Sequence, residues 1–288
     1  MNLYYLLQYH FNNRRDIQLK ENPSLPVVLV FAGNDPTGGA GIQADIEATA
    51  SMGTHAAPVI TSITVQDTQN VKSYFPLDLS GIVEQARAIL EDMPVAAIKI
   101  GMLGSTDAVE AINSILVDYA DVPVVLDPVI SAGGGASLAD DEMLDALCQL
   151  LIPKTTIIVP NSIEARLLAR EADNLEACAQ ELMDMGSEYV LITGSHEQTE
   201  EVENAFYGNG RLIDSYRWER LPHTYHGSGC TLASCIAGLL AHRIDPLSAV
   251  YEAQEFTWKS LEAGYRLGMG QLIPNRFFWA TEEEEATD

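Results

Sequence analysis

Positive charge is what this sequence has least of. Sixteen lysines and arginines stand against 41 aspartates and glutamates, a formal net charge of −25. Such a field repels polyanions and argues against nucleic-acid binding. A phosphorylated ligand would have to be held by backbone N–H groups or a metal ion rather than by a basic patch. Cysteine is scarce as well: Cys148, Cys178, Cys230 and Cys235 form no CxxC pair and follow no secretory pattern, so reduced thiols in a cytoplasmic protein are expected. No apolar run reaches the roughly 18–20 residues that cross a bilayer, so no membrane partner is expected. The metal-ligand pattern HExxH, the phosphate loop GxxxxGK[ST] and the dinucleotide fingerprint GxGxxG are missing too.

What is present is an alternation. In a chain of 288 residues, short β-branched runs at 27–31, 97–100, 122–126 and 157–159 are each followed by a helical apolar pattern, and the helical stretch 175–185 precedes another run at 189–192. Strands alternating with helices predict a doubly wound α/β/α domain with a mostly parallel sheet. The alternation breaks twice. Residues 57–65 and 71–75 follow one another without a helix, and Gly208-Asn209-Gly210 marks a hairpin between 205–207 and 212–216. Residues 229–269 read as two helices broken at Asp245-Pro246. The predicted organisation is an N-terminal extension (1–26, with LYYLLQYHF as a packing helix), one domain (27–270) and a C-terminal segment (271–288) with an acidic tail.

In open parallel sheets, ligands bind beyond the C-terminal strand ends. The residues there carry the chemistry. AGNDPTGGAGIQAD (32–45) is a glycine-rich strand-to-helix loop in which Gly38, Gly39 and Gly41 let a ligand approach the backbone. Asp127 and Glu164 end two further strands as a carboxylate pair suited to Mg²⁺. Glu164 also fits a helix cap with Asn161 or Ser162. LITGSH (191–196) ends a strand in Thr193-Gly194, and HGSGC (226–230) places Gly227, Ser228, Gly229 and Cys230 where a helix begins. Unpaired amides and the helix dipole at such a start hold anions, and the same field is expected to lower the Cys230 thiol pKa. His223 and His226 read as local hydrogen-bonding residues.

These motifs, with VITSITVQDT (59–68), IKIGMLGS (98–105), VVLDPV (124–129) and PNSIEA (160–165), resemble the hydroxymethylpyrimidine/phosphomethylpyrimidine kinases of the ribokinase-like superfamily over residues 27–265. The resemblance implies an ATP- and Mg²⁺-dependent kinase of thiamine biosynthesis. Its small pyrimidine substrate would lie against Gly33, Asp45, Gln66, Met102 and Val129, and ATP against Asn161, Thr193 and Gly194. The amides of Gly227 to Cys230 would receive the transferring group, with Cys230 at the place of a base. A homodimer is also implied.

Two departures stand out. Gly133 and Thr193 occupy places where related kinases usually carry lysine, so the first phosphorylation is expected to be easier than the second unless Lys72, Lys99, Lys154 or an arginine compensates. Pyridoxal kinase activity and a non-catalytic sensor remain alternatives.

Overall fold

A computed structural model describes residues 25–131, 135 and 138–280. The proposed N-terminal packing helix, Gly133 and the acidic tail lie outside the described residues. The strands are β1 (Val27–Asn34), β2 (His55–Gln66), β3 (Val71–Pro76), β4 (Val95–Ile100), β5 (Val124–Leu126), β6 (Ile157–Ile158), β7 (Tyr189–Ile192), β8 (Glu201–Gly208) and β9 (Arg211–Glu219). The α-helices are α1 (Gly41–Ser51), α2 (Leu79–Leu90), α3 (Thr106–Asp118), α4 (Asp141–Ala146), α5 (Ser162–Leu168), α6 (Leu175–Asp184), α7 (Ser228–Ala241) and α8 (Pro246–Glu262).

One nine-stranded sheet runs in the order β3-β2-β1-β4-β5-β6-β7-β8-β9. The six strands from β2 to β7 through β1 pair in parallel, while β3, β8 and β9 are antiparallel additions at the edges. Strand β1 explains why the sheet carries two layers. Leu29 and Phe31 point into one apolar cluster with α2, α3 and α6, whereas Val28 and Val30 point into a second with α1, α7 and α8. A strand buried on both faces has to be apolar throughout. The β8–β9 hairpin turns on Asn209 and Gly210, both left-handed (φ 54° and 69°), as a two-residue turn between twisted strands requires.

Several boundaries differ from those predicted. Helix α2 falls where no helix was predicted, although Leu79, Ile82, Val83, Ala86, Ile89 and Leu90 recur at helical spacing and pack Ile82 and Ala86 into the core. Helix α4 runs on into a π-helical stretch, Leu147–Leu151, and helix α8 ends at Glu262. Within residues 271–280, Ile273 is buried, and Arg276, 1% exposed, lies in the interior. No helix among the described residues is long and apolar enough to cross a membrane.

Candidate active site

The C-terminal ends of β1, β2, β4, β5, β6 and β7 surround a cavity of about 630 Å³, within the range of small-molecule sites. Twelve of the fourteen sequence-predicted site residues line it: Gly33, Gln66, Met102, Val129, Asp127, Glu164, Asn161, Thr193, Gly227, Ser228, Gly229 and Cys230. Asp45 and Gly194 do not.

One wall suits a flat ring. Gly33 ends β1, and a Cβ there would lie 2.9 Å from Ser62 Oγ and 3.2 Å from the Met102 sulfur, so only glycine lets these groups close up. Thr61 Oγ1 fixes the Met102 carbonyl at 2.6 Å. Gln66, at the end of β2, donates from Nε2 to Thr64 Oγ1 at 2.8 Å. A side-chain amide can both donate and accept, which an amino-substituted heterocycle edge needs and a carboxylate cannot supply.

The opposite wall suits an anion. Six of the eight described α-helices have a side-chain N-cap: Asp78, Ser105, Asp140, Asn161, Asn174 and Asp245. The two without one, α1 and α7, both open on the cavity. Helix α7 starts at Gly227 in the left-handed region (φ 85°), and from Thr231 to Ala241 all its residues are buried. Its first-turn amides and dipole face the cavity without a competing side chain.

Between the walls lies a buried charge cluster. Lys99 sits one residue before the end of β4, its side chain wholly buried, with Nζ 3.0 Å from Asp45 Oδ1 and 3.7 Å from Asp127 Oδ2. Burial works against its charge, but Asp45, Cys230 and Asp127 outweigh that and hold its pKa above the ordinary lysine value. Asp45 also accepts from Ser234 Oγ at 2.7 Å and is fully buried. It therefore lies beneath the cavity floor, as Lys99's counter-charge, rather than at the ligand surface where it was expected.

Cys230 corrects a second expectation. It does sit in the first turn of α7, but its thiol is pushed up to about 12 by burial, with Asp127 and Asp45 adding to the effect. Lys99 and the Gly41 amide pull the other way without prevailing. Asp127 is raised by burial and by Asp45, against Lys99 and the thiol. Its Oδ2 is buried with no hydrogen-bond partner among the described residues.

Glu164 serves as cap and cavity wall together. Its Oε2 accepts from the Asn161 amide at 2.9 Å, while Asn161 Oδ1 accepts from the amides of Ile163 and Glu164, a reciprocal capping box. Burial, then Asp127, raises its carboxyl to about 8, against the Asn161 and Ile130 amides. Because the folded protein binds this proton more tightly than the unfolded chain, the stability it contributes is complete below about pH 4.5 and lost as pH rises through about 8. Glu164→Gln keeps the cap acceptor and removes the titration. Urea unfolding at pH 5 and pH 9 should show the wild type losing a few kcal/mol more than the variant; equal losses would refute the assignment.

Gly194 lies off the cavity wall. Its amide donates to Asn204 Oδ1 at 3.0 Å, and a Cβ would lie 2.2 Å from the Glu203 carbonyl oxygen. Thr193 stays on the wall, beside Asn161 through a parallel bridge.

Of the cations considered as compensation, Lys72 pairs with Asp67 at the surface and Lys154 bonds the Leu150 carbonyl. Arg220 is the single Lys or Arg in the cavity wall among the described residues, and it donates to the Ser195, Glu197 and Thr199 carbonyls.

The glycine-rich loop and the α7 turn meet at Asp35 and His226. His226 Nε2 lies 3.0 Å from Asp35 Oδ2, and Asp35 also accepts from the Thr37 and Ala40 amides at 2.8 Å each. Burial raises the Asp35 carboxyl, but these bonds overcome it and hold it below its usual value. His226 is thus the local hydrogen-bonding residue expected. No cluster of three or more His, Cys, Asp or Glu side chains shaped to hold a metal exists among the described residues.

The model of the phosphomethylpyrimidine kinase family matches residues 35–275. The hydroxymethylpyrimidine/phosphomethylpyrimidine kinase of Synechococcus elongatus is 34% identical over 261 residues, 88% of this chain and 98% of that protein. The thiamine biosynthetic bifunctional enzyme TH1 of Arabidopsis thaliana is 36% identical over 259 residues, and this chain spans half of its length. An ADP complex of Bacillus subtilis pyridoxal kinase superposes with a TM-score of 0.82 at 28% identity, covering 90% of this chain and 100% of that one.

Proposed function

Because the chain belongs to the phosphomethylpyrimidine kinase family and is thereby a phosphotransferase to an alcohol, we propose that it moves the γ-phosphoryl group of ATP onto the hydroxymethyl oxygen of 4-amino-5-hydroxymethyl-2-methylpyrimidine, in the biosynthesis of thiamine diphosphate. The observation that carries this reading is the meeting, in one cavity, of the Gly33–Gln66–Met102–Val129 wall and the uncapped start of α7.

Phosphoryl transfer needs positioning and charge stabilisation more than covalent chemistry. Gln66 would orient the pyrimidine edge, and Met102 and Val129 would flank the ring. The hydroxymethyl oxygen then lies toward Cys230, and the amides of Ser228, Gly229 and Cys230 face the transferring group. In a loose transition state the hydroxyl proton leaves late, so a weak acceptor suffices. Cys230 would take that proton as its own thiol proton passes to the carboxylate of Asp127, which is hydrogen-bonded to it. Asn161 and Thr193 would contact the nucleotide.

Mg²⁺ fits the residues present. Asp127 offers a buried oxygen without a hydrogen bond, and Glu164 a carboxyl that burial and Asp127 make costly to ionise alone. Two carboxylates completed by water and phosphates are a usual Mg²⁺ environment. When bound, the ion would neutralise phosphate charge.

A wall with Arg220 as its one permanent cation among the described residues, already engaged with three carbonyls, favours an uncharged acceptor over one that carries a phosphate. A pyridoxal side activity is supported by the likeness to pyridoxal kinase, since pockets discriminate weakly between similar rings. ADP release with the pyrimidine, its monophosphate and pyridoxal should give the highest kcat/KM for the free pyrimidine. Equal values for the pyrimidine and its monophosphate would refute the preference, and a higher value for pyridoxal would refute the substrate. The free state of all four cysteines is compatible with the cytoplasm, and exposed Ile63, Val65 and Phe75 on β2 and β3 offer an apolar surface for a homodimer.

A further inference from the structure

Arg276 has no counterpart among the residues so far assigned to binding or transfer, yet it is the largest of the fully buried side chains. Its guanidinium reaches three separate elements. Nε donates to Thr231 Oγ1 in the first turn of α7 at 2.8 Å, one terminal nitrogen to Glu47 Oε2 of α1 at 3.1 Å, and the other to the carbonyl oxygen of Gly39 in the glycine-rich loop. Its own backbone is pinned as well: its carbonyl accepts from Ser51 Oγ at 2.8 Å, and the preceding Asn275 amide donates to the Ser260 carbonyl.

The contact with Thr231 continues to the anion turn. Thr231 Oγ1 donates onward to the Gly227 carbonyl at 2.8 Å. Gly227 is the left-handed residue from which α7 starts, and a Cβ on it would lie 1.9 Å from the Gly39 oxygen that Arg276 holds. One guanidinium thus presses the ligand loop against the anion turn at the limit of backbone contact. A buried Arg–Glu pair is weak evidence for stability by itself, since apolar side chains of similar volume often serve as well. Binding three acceptors on three elements requires the rigid fork of arginine, which lysine lacks.

We propose that Arg276 is a positioning residue for phosphoryl transfer: it sets the distance between the loop that carries the acceptor and the amides that receive the phosphoryl group, acting through Gly39 and through Thr231 and Gly227. This rests on the kinase reading above. Misplacement of reacting groups by about 1 Å can cost on the order of 100-fold in rate. Neither the ring wall nor the nucleotide contacts touch Arg276, and the Asp35–His226 bond between the loop and the α7 turn is made without it.

The test compares wild type, Arg276→Lys and Thr231→Val in the full chain, measuring kcat and KM with ATP and the pyrimidine, equilibrium binding of each ligand, and thermal unfolding. Thr231→Val breaks the link to the anion turn while leaving the arginine, and serves if Arg276→Lys does not fold. The expected result is a kcat loss of about 10- to 100-fold in both variants, with dissociation constants within about threefold of wild type at a temperature where the variants are folded. Wild-type kcat in the folded variants, or a loss confined to KM, would overturn the proposal. If wild type binds the pyrimidine but never turns it over, the kinase reading itself falls, and the positioning role with it.

Discussion

Lys99→Met should destabilise the protein by about 3–5 kcal/mol, the usual consequence of removing one partner from a buried ion pair. The replaced ammonium lies 3.0 Å from Asp45 and 3.7 Å from Asp127, with its side chain fully buried. Without it the Asp45 carboxylate beneath the floor faces the Asp127 carboxylate of the cavity wall, and Asp45 keeps only Ser234 as a hydrogen-bond partner. Asp127, whose carboxyl burial and Asp45 already raise, then loses the cation that opposes this, so the destabilisation should be small in acid, where Asp127 is protonated, and grow as pH rises toward neutrality. Asp45→Asn on top of Lys99→Met should recover part of the loss by removing one of the stranded charges. Urea unfolding at pH 5 and pH 8 measures all of this. A Lys99→Met protein within about 1 kcal/mol of wild type at pH 8 would show that the cluster does not carry the charge assigned to it.

The second large effect is catalytic. Cys230→Ala should lower kcat by about 100-fold or more, the usual worth of a positioned proton acceptor, while the pyrimidine still binds, because Gly33, Gln66, Met102 and Val129 are untouched. A thiol at a helix start would ordinarily be acidified, and on that basis the ligand-free protein would react quickly with iodoacetamide at neutral pH. The structure predicts otherwise. Burial and the carboxylates of Asp127 and Asp45 push the thiol up to about 12, so alkylation of Cys230 in the ligand-free protein should be slow at pH 7.5 and should accelerate as the pH is raised through 9 to 11. Rapid alkylation at pH 7.5 would place a thiolate in the resting site and contradict the electrostatics. Unchanged kcat in Cys230→Ala would remove the residue from proton transfer.

The difference over Cys230 shows where reading a sequence stops. Its position was legible, since the glycines of GSGC and the apolar period after Thr231 place it in the first turn of α7. Its ionisation was not, because that depends on Asp45 and Asp127, which reach the thiol from α1 and the end of β5. The strand-end motifs converged on one cavity because a parallel sheet leaves its C-terminal ends on one rim. Asp45 was misplaced for a related reason. It follows the ligand loop in sequence, but α1 turns it inward, beneath the floor.

Lys99 left a usable signal: a lysine within a strand that is otherwise apolar because helices cover both faces must be paired where it is buried. Arg276 left none. Its three acceptors lie 45, 229 and 237 residues away along the chain, and no local pattern encodes contacts of that range. The hairpin of β8 and β9 is the opposite case, written into two adjacent residues, Asn209 and Gly210, whose left-handed backbone makes the turn.

The central claim is that one cavity joins an acceptor ring to a phosphoryl-receiving helix start, and the fate of the phosphorus tests it most directly. The wild-type protein with ATP, Mg²⁺ and 4-amino-5-hydroxymethyl-2-methylpyrimidine, followed by ³¹P NMR, should build up a phosphate monoester on the hydroxymethyl oxygen in step with ADP. ADP appearing with inorganic phosphate alone, or a bound pyrimidine that is never phosphorylated, would contradict it.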